Sequence, residues 1–384
     1  MFLLIGFSCL FSSCSEKQVA DKIVYSATLE PKEDLILPLD DYSPHDVFCL
    51  QLFSAGEENF LFVLNHLVNR IYMYSYPAGQ VVRIIDIPRE GPNGLSRANG
   101  FFVHNLDSIF VFPRGNLYQT RLVDYQGNFS PLDMSGARWN DLGLINAVSI
   151  TTAPTVYEDG VFYFVQYPVG FEMPDDRSCT YPYLGGYALA ADSLFSFPVY
   201  RYPEKLCDRK WPFWGLMCTR VIKNGRQVIN WPWSDELLIL QADGQLVKKE
   251  AITDAGEIEL PPFRSEQKEE EEVAYMLNTV TYQSLYFDPV ARVYYRLAHL
   301  PVQYDPEKHI NYQAFDDQPL AVVILDEAFE KIGEKRLPAS TYSSYTGFAY
   351  DGAFCLSRAN HYNSDLEEES LPFGCFSLVY EKDK

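Results

Sequence analysis

Three groups of residues have types and spacings that could do chemistry. The first is the run Arg89-Glu90-Gly91-Pro92-Asn93-Gly94-Leu95-Ser96-Arg97-Ala98-Asn99. Its two glycines would let backbone amides face a ligand, while Arg89, Glu90, Asn93 and Arg97 offer charge and hydrogen bonds, so it is the first candidate binding loop. The competing reading is a tight turn carrying a surface ion pair. The second group is aromatic: Trp211, Trp214, Trp231 and Trp233, beside Tyr200, Tyr202 and Phe213. Indoles exposed on loops can stack on sugar rings, whereas the same rings clustered beside prolines can instead plug a channel or wedge between sheets. The third group, Asp288, Tyr295, Arg296 and His299, lies on or beside one strand-like segment. These side chains could reach a central channel, or could be strand residues whose hydrogen bonds are satisfied internally.

Several chemistries are excluded or left without support. The six histidines form no HExxH or comparable metal spacing, and neither Gly-x-Ser-x-Gly nor a Gly-Lys-Ser/Thr phosphate loop occurs. No CxxC spacing is present, which argues against a structural zinc site. Asp and Glu are abundant enough that a glycosidase-like carboxylate pair could be assembled anywhere on paper, so their number assigns nothing. No catalytic residue, metal site or cofactor is assigned. The run Glu269 to Glu272 reads as a solvated face, because adjacent helical glutamates point in different directions and cannot converge on one ion. A formal net charge of −21 leaves no basic surface to neutralise phosphates, which excludes a nucleic-acid partner.

These residues must be positioned by sheets. The chain is 15% aromatic, with 27 Tyr and 26 Phe, a composition suited to half-buried strand faces. Phe101 to Phe129 reads as three antiparallel strands with corners at Asn105 to Ser108 and Tyr125 to Asn128, Gly127 supplying a positive φ. The same order recurs from Phe60 to Pro88, at Asp159 to Tyr167 with Tyr187 to Tyr200, and from Thr219 to Ile252 around Asp243-Gly244. It recurs again from Ser284 to Leu337 and from Gly347 to Asp383. Four-strand units repeating every 40–60 residues or so predict an all-β fold, a β-propeller. Six blades fit, with Ile23 to Leu39 pairing with the last strands to close the ring. Seven would follow if those N-terminal strands began a blade of their own, and a two-sheet sandwich is the structural rival. Pro261 to Thr279 breaks the pattern and predicts a short helix across one face, with Val273, Met276, Leu277 and Val280 inward.

The N-terminus adds an address. Met1 to Phe11 is apolar but too short to span a bilayer. The small residues before Cys14 resemble a bacterial lipoprotein processing box, which implies residues 1–13 as signal peptide, acylation at Cys14 and residues 14–22 as a tether, with one propeller domain over 23–384. Of the remaining cysteines, Cys49, Cys179, Cys207, Cys218, Cys355 and Cys375, the pairs Cys207 with Cys218 and Cys355 with Cys375 are local enough to bond in an oxidising compartment, and buried free thiols are the alternative.

Two stretches resemble a known family. Arg89-Glu90-Gly91-Pro92-Asn93-Gly94 followed by NLDSIFVF, and Tyr286-Phe287-Asp288-Pro289 leading to Val293-Tyr294-Tyr295-Arg296, look like the Bacteroidetes lipoproteins of domain of unknown function 4221. The resemblance covers nearly the whole mature chain and implies a six-bladed propeller, lipid-anchored in the cell envelope, with the outer membrane as its site. It brings no catalytic residues. The reading that follows is a non-enzymatic binding protein that takes a glycan, a peptide or an envelope protein on its loop face. The rival is a hydrolase or lyase acting on a carbohydrate or lactone, a role for which fold alone is no warrant.

Overall fold

The computed structural model describes residues 25–115, 117–138, 147–167, 181–197, 213–258 and 268–382. Cys14, the tether, Cys179, Cys207, Trp211 and the ring of Trp214 lie outside them. The strands form six antiparallel sheets taken in chain order, which is the six-bladed propeller expected. Blade one runs Leu50–Ala55, Glu58–Asn65, Arg70–Tyr76 and Val81–Asp86 from the axis outward. Blade two starts at Ala98–Asn105, blade four at Thr219–Lys223, blade five at Thr281–Asp288 and blade six at Gly347–Tyr350. In blade three the inner edge is split into Ala147–Val148 and Val156–Glu158, both paired with Val161–Gln166.

The ring closes as the N-terminal segment predicted. Tyr25–Pro31 and Leu35–Pro38 both pair antiparallel with the long last strand Ser370–Lys382, so blade six is built from both ends of the chain. Closure removes the two open sheet edges that an unclosed array would carry. A disulfide between Cys355 and Cys375, directly opposed on neighbouring strands, fastens the same blade. Cys218 is a buried free thiol, as is Cys49, so the bond considered between Cys207 and Cys218 is not formed. Cys218 lies in the core between blades three and four, and Cys207 falls outside the described residues.

Two local readings need correction. Phe101 to Phe129 holds four strands, not three, because the second apolar run is interrupted by a 3-10 turn at Leu117–Gln119 before Arg121–Val123, and Phe129–Ser130 forms the fourth. The helix is α1, Glu269–Leu277, with Val273, Met276 and Leu277 buried, and Val280 lies beyond its end although it too is buried. Corner chemistry held: Gly127 has φ +91°, and the Asp124 carboxylate accepts the Gln126 and Asn128 amides at 2.9 and 2.8 Å. Asp243 and Asp326 cap their corners in the same way, which is why an aspartate so often ends a strand here.

The core is a set of radial wedges, one between each pair of neighbouring blades. Flat rings fill these wedges: Phe110 against Phe162 at 4.9 Å between blades two and three, and Tyr295 stacked on Phe354 at 4.5 Å between blades five and six. Each such pair adds of order 1 kcal/mol beyond its area burial, and the wedges account for the aromatic richness of the chain.

The loop-face mouth as candidate functional site

Residues that enter an inner strand, and those at the corner after the second strand of a blade, all emerge on one end of the ring. There they surround a cavity of about 380 Å³ lined by Phe48, Leu64, His66, Arg97, Asn99, Arg114, Ile150, Tyr167 and Met217, with Cys49, Ala147 and Val148. The site is therefore assembled from blades one to four. Phe48 tilts against the His66 ring at 5.3 Å. Tyr167 is fixed from behind, its hydroxyl donating to the Cys218 carbonyl at 2.9 Å. Burial and the nearby Arg97 charge hold the His66 imidazole below its ordinary value, with Asp46 pulling the other way. Burial holds the Asp46 carboxyl above its ordinary value against the influence of His66.

Blades five and six complete the mouth. Burial pushes the Asp316 carboxyl up to about 6, against the His361 amide that donates to it at 3.4 Å, and the Asp46 charge raises it further. Tyr345 shows part of its ring to solvent while its hydroxyl donates inward to Gln283 at 2.8 Å. Titratable groups from five connecting segments, carrying Asp46, His66, Arg97, Asp316 and His361, thus act on one another across a single opening. A second cavity, about 340 Å³, lies along the axis between inner-strand residues that include Gln51, Ser54, Lys223, Phe287 and Tyr350. Among the described residues no group of three or more His, Cys, Asp and Glu side chains is placed to hold a metal.

The candidates read from sequence fall on both sides of this geometry. Arg97 and Asn99 line the cavity. Arg89, Glu90 and Asn93 are exposed on the preceding turn, which is locked: Arg89 donates to the Leu67 carbonyl, Leu95 donates to Pro88 at 2.8 Å, and Arg121 donates to the Gly94 carbonyl at 2.9 Å. The Gly94 amide is spent on Gly91 at 2.9 Å, so it does not face a ligand. A Cβ at Gly94 would sit 2.5 Å from the Glu90 carbonyl carbon, which makes glycine a packing requirement there. Asn69 anchors the far end, its amide donating to Leu95 at 2.6 Å and its carbonyl accepting from Ala98 at 2.9 Å.

Trp231 and Trp233 are 1% and 0% exposed. Trp231 meets Tyr183 edge-on at 4.9 Å and Trp233 stacks on Tyr275 of α1 at 5.4 Å, so both rings glue the helix and blade three to blade four, out of a ligand's reach. The four strand residues are also internal. Asp288 takes the amides of Val290, Ala291, Asp351 and Gly352, stapling two hairpins of neighbouring blades. Arg296 stacks over Tyr282 at 3.4 Å and donates to Asn230 and to the carbonyls of Ser234, Asp235 and Ala251. Burial lowers its guanidinium to about 10, still charged at neutral pH. His299 bridges Gln318 at 3.1 Å and Ser344 at 2.9 Å, and burial pushes it down to about 4. Tyr295 lies in the wedge described above. None of the four lines either cavity.

A closed six-bladed propeller with a partly apolar, arginine-bearing mouth is the class that fold and site define together. The family model described as "Domain of unknown function (DUF4221)" matches residues 26–177 and 235–336, more than half of the sequence. The chain belongs to that family. A crystal structure of a family member from Bacteroides vulgatus is similar over 93% of this chain and 99% of its own, at 18% identity and a TM-score of 0.77. A protein of Bacteroides fragilis described as exported matches over 94% of this chain and 97% of its own, at 11% identity and a TM-score of 0.54. At these identities the likeness shows the fold alone. No curated protein sequence matches the chain.

Proposed function

We propose that this chain is an exported, lipid-anchored propeller that binds a ligand in the loop-face mouth without turning it over. The observation that carries the reading is the cavity itself: about 380 Å³, walled mostly by apolar side chains with a few polar ones among them, the proportions of a ligand site and not of a packing gap. Export is supported by the apolar run before Cys14, by a disulfide suited to an oxidising compartment and by the exported relative from Bacteroides fragilis. Among the described residues no helix is long and apolar enough to cross a membrane, and the proposed anchor is the acylated Cys14. A glycan, a peptide or an envelope protein segment would enter from the loop side.

The test is a glycan and peptide array probed with wild type, with Ile150→Trp, which fills the cavity, and with Lys223→Ala at the axial cavity. Binding that survives in the Lys223 variant and disappears in the Ile150 variant is expected. Binding unaffected by Ile150→Trp would overturn the assignment.

One observation favours a second reading. A carboxyl raised to about 6 beside a second carboxyl and a histidine is the arrangement general acid–base chemistry uses. A hydrolase or lyase of a carbohydrate or lactone would place Asp316 as the acid. Turnover of any such substrate that is lost in Asp316→Asn would replace the binding reading with this one.

A further inference from the structure

We propose that the loop-face cavity selects an organic carboxylate attached to an apolar body of modest size, an inference that rests on the ligand-binding reading above. The chain carries a formal charge of −21, yet the cavity is lined by Arg97 and Arg114 and by no Asp or Glu. In a protein with 52 acidic and 31 basic residues, that is a local inversion of sign. Several other arginines are engaged: Arg70 with Asp86, Arg292 with Glu327, Arg358 with Asp34, and Arg220 and Arg296 with carbonyls, while Arg83 and Arg336 are exposed on outer strands away from the cavity. Among the described residues, neither Arg97 nor Arg114 forms an ion pair or hydrogen bond, and both are exposed at the rim.

Both arginines belong to blade two, which stands opposite blade five, the source of Asp316, in a ring of six. The cavity lining is therefore cationic at blade two, while the acidic groups of the mouth are Asp316 on blade five and Asp46, which does not line the cavity although its charge acts on His66. Two guanidinium groups can hold a carboxylate bidentately, with bonds roughly twice as strong as neutral ones. Beside them the side chains of Phe48, Leu64, Ile150 and Met217 offer no hydrogen bond, so the part of the ligand set against them should be apolar, with Asn99 and His66 the further polar side chains of the lining. His66, whose imidazole is held below its ordinary value by burial and then by Arg97 against Asp46, can donate one further hydrogen bond.

Met217 provides the readout, since it lines the cavity and the chain has only six methionines. The full chain is labelled with [¹³C-methyl]methionine and the Met217 signal is assigned with Met217→Leu. Hexanoate and phenylacetate are then titrated, with hexanamide and phenylacetamide as neutral counterparts and inorganic phosphate as an anion without an apolar body. The carboxylates should shift the Met217 methyl saturably, the amides should bind at least about tenfold more weakly, as expected for loss of charge-assisted hydrogen bonds, and phosphate should leave the signal unmoved. Arg97→Ala and Arg114→Ala should each weaken carboxylate binding about tenfold while unfolding at the wild-type temperature, as exposed, unpaired side chains allow. Amides as potent as carboxylates, with no effect of either arginine, would overturn the carboxylate class and leave the cavity as a binding site. Phosphate acting as strongly as hexanoate would overturn the apolar body. A Met217 signal unmoved by every organic probe would overturn both this inference and the reading beneath it.

Discussion

Asp316→Asn should make the protein more stable at neutral pH. The carboxyl is raised from 3.8 to about 6 by burial, with Asp46 adding to the rise. An acid whose folded value is raised contributes stability while protonated, below pH 3.8, and loses it as pH climbs through 6. Above that, the folded state carries an ionised group it would rather keep neutral. The shift of about two units corresponds to about 3 kcal/mol at 1.36 kcal/mol per unit. Asparagine is neutral at every pH and keeps an oxygen for the His361 amide, so the variant should gain 1–3 kcal/mol or so at pH 7.5 and nothing at pH 4. With an unfolding entropy of roughly 2.1 cal/mol/K per residue, that gain is a rise in Tm of about 1–4 °C for a chain of this length. The assay is differential scanning calorimetry of both proteins at pH 4, 5.5 and 7.5. His299 acts in the opposite direction over the same range, so the quantity to follow is variant minus wild type at each pH. A gain that is absent at pH 7.5, or equal at all three, would refute the reasoning. A carboxylate kept at the mouth despite such a cost is what a functional group would look like.

Three further outcomes follow from the same contacts. His299 is neutral in the folded state, with its value lowered from 6.5 to about 4, so its contribution is full above pH 6.5 and is lost as pH falls toward 4, about 3 kcal/mol in all; calorimetry of His299→Gln should show that slope removed. Asp288→Ala leaves four part-buried amides without their acceptor and should cost about 1–3 kcal/mol, whereas Asp288→Asn, which keeps one acceptor oxygen, should cost less; denaturant titration separates them. Breaking the Cys355–Cys375 bond, which closes a separation of 20 residues, by Cys355→Ala with Cys375→Ala should lower stability by about 2–3 kcal/mol and make wild-type and variant Tm converge under reducing agent.

What was legible in the sequence was the part written in local chemistry. Aspartate-ended strands and glycine corners announced the hairpins, and surplus apolar segments at the N-terminus announced ring closure, since Leu29 and Leu37 have no other sheet to enter. The interruption at Leu117–Gln119 was not legible, because a short 3-10 turn leaves the apolar run unbroken. Nor was the fate of Trp231, Trp233, Tyr295 and His299. In a propeller both faces of a blade are covered by neighbours, so alternation cannot say whether a side chain points to a wedge, the axis or a loop. Of the glycine-rich loop, Arg97 and Asn99 line the cavity. His66, Arg114, Asp46, Asp316 and Tyr345 were missed because the mouth gathers residues scattered from 46 to 345. In an alignment of the blades on their inner strands, these positions fall at one end of the ring.

The central claim, that ligand enters at the loop-face mouth, is tested most directly by a crystal structure of the protein soaked with the strongest binder from the array. The account predicts that molecule seated against Phe48, Ile150 and Met217 with a polar end at Arg97. Electron density for it in the axial cavity beside Gln51 and Tyr350, or on an outer blade edge, would contradict the account.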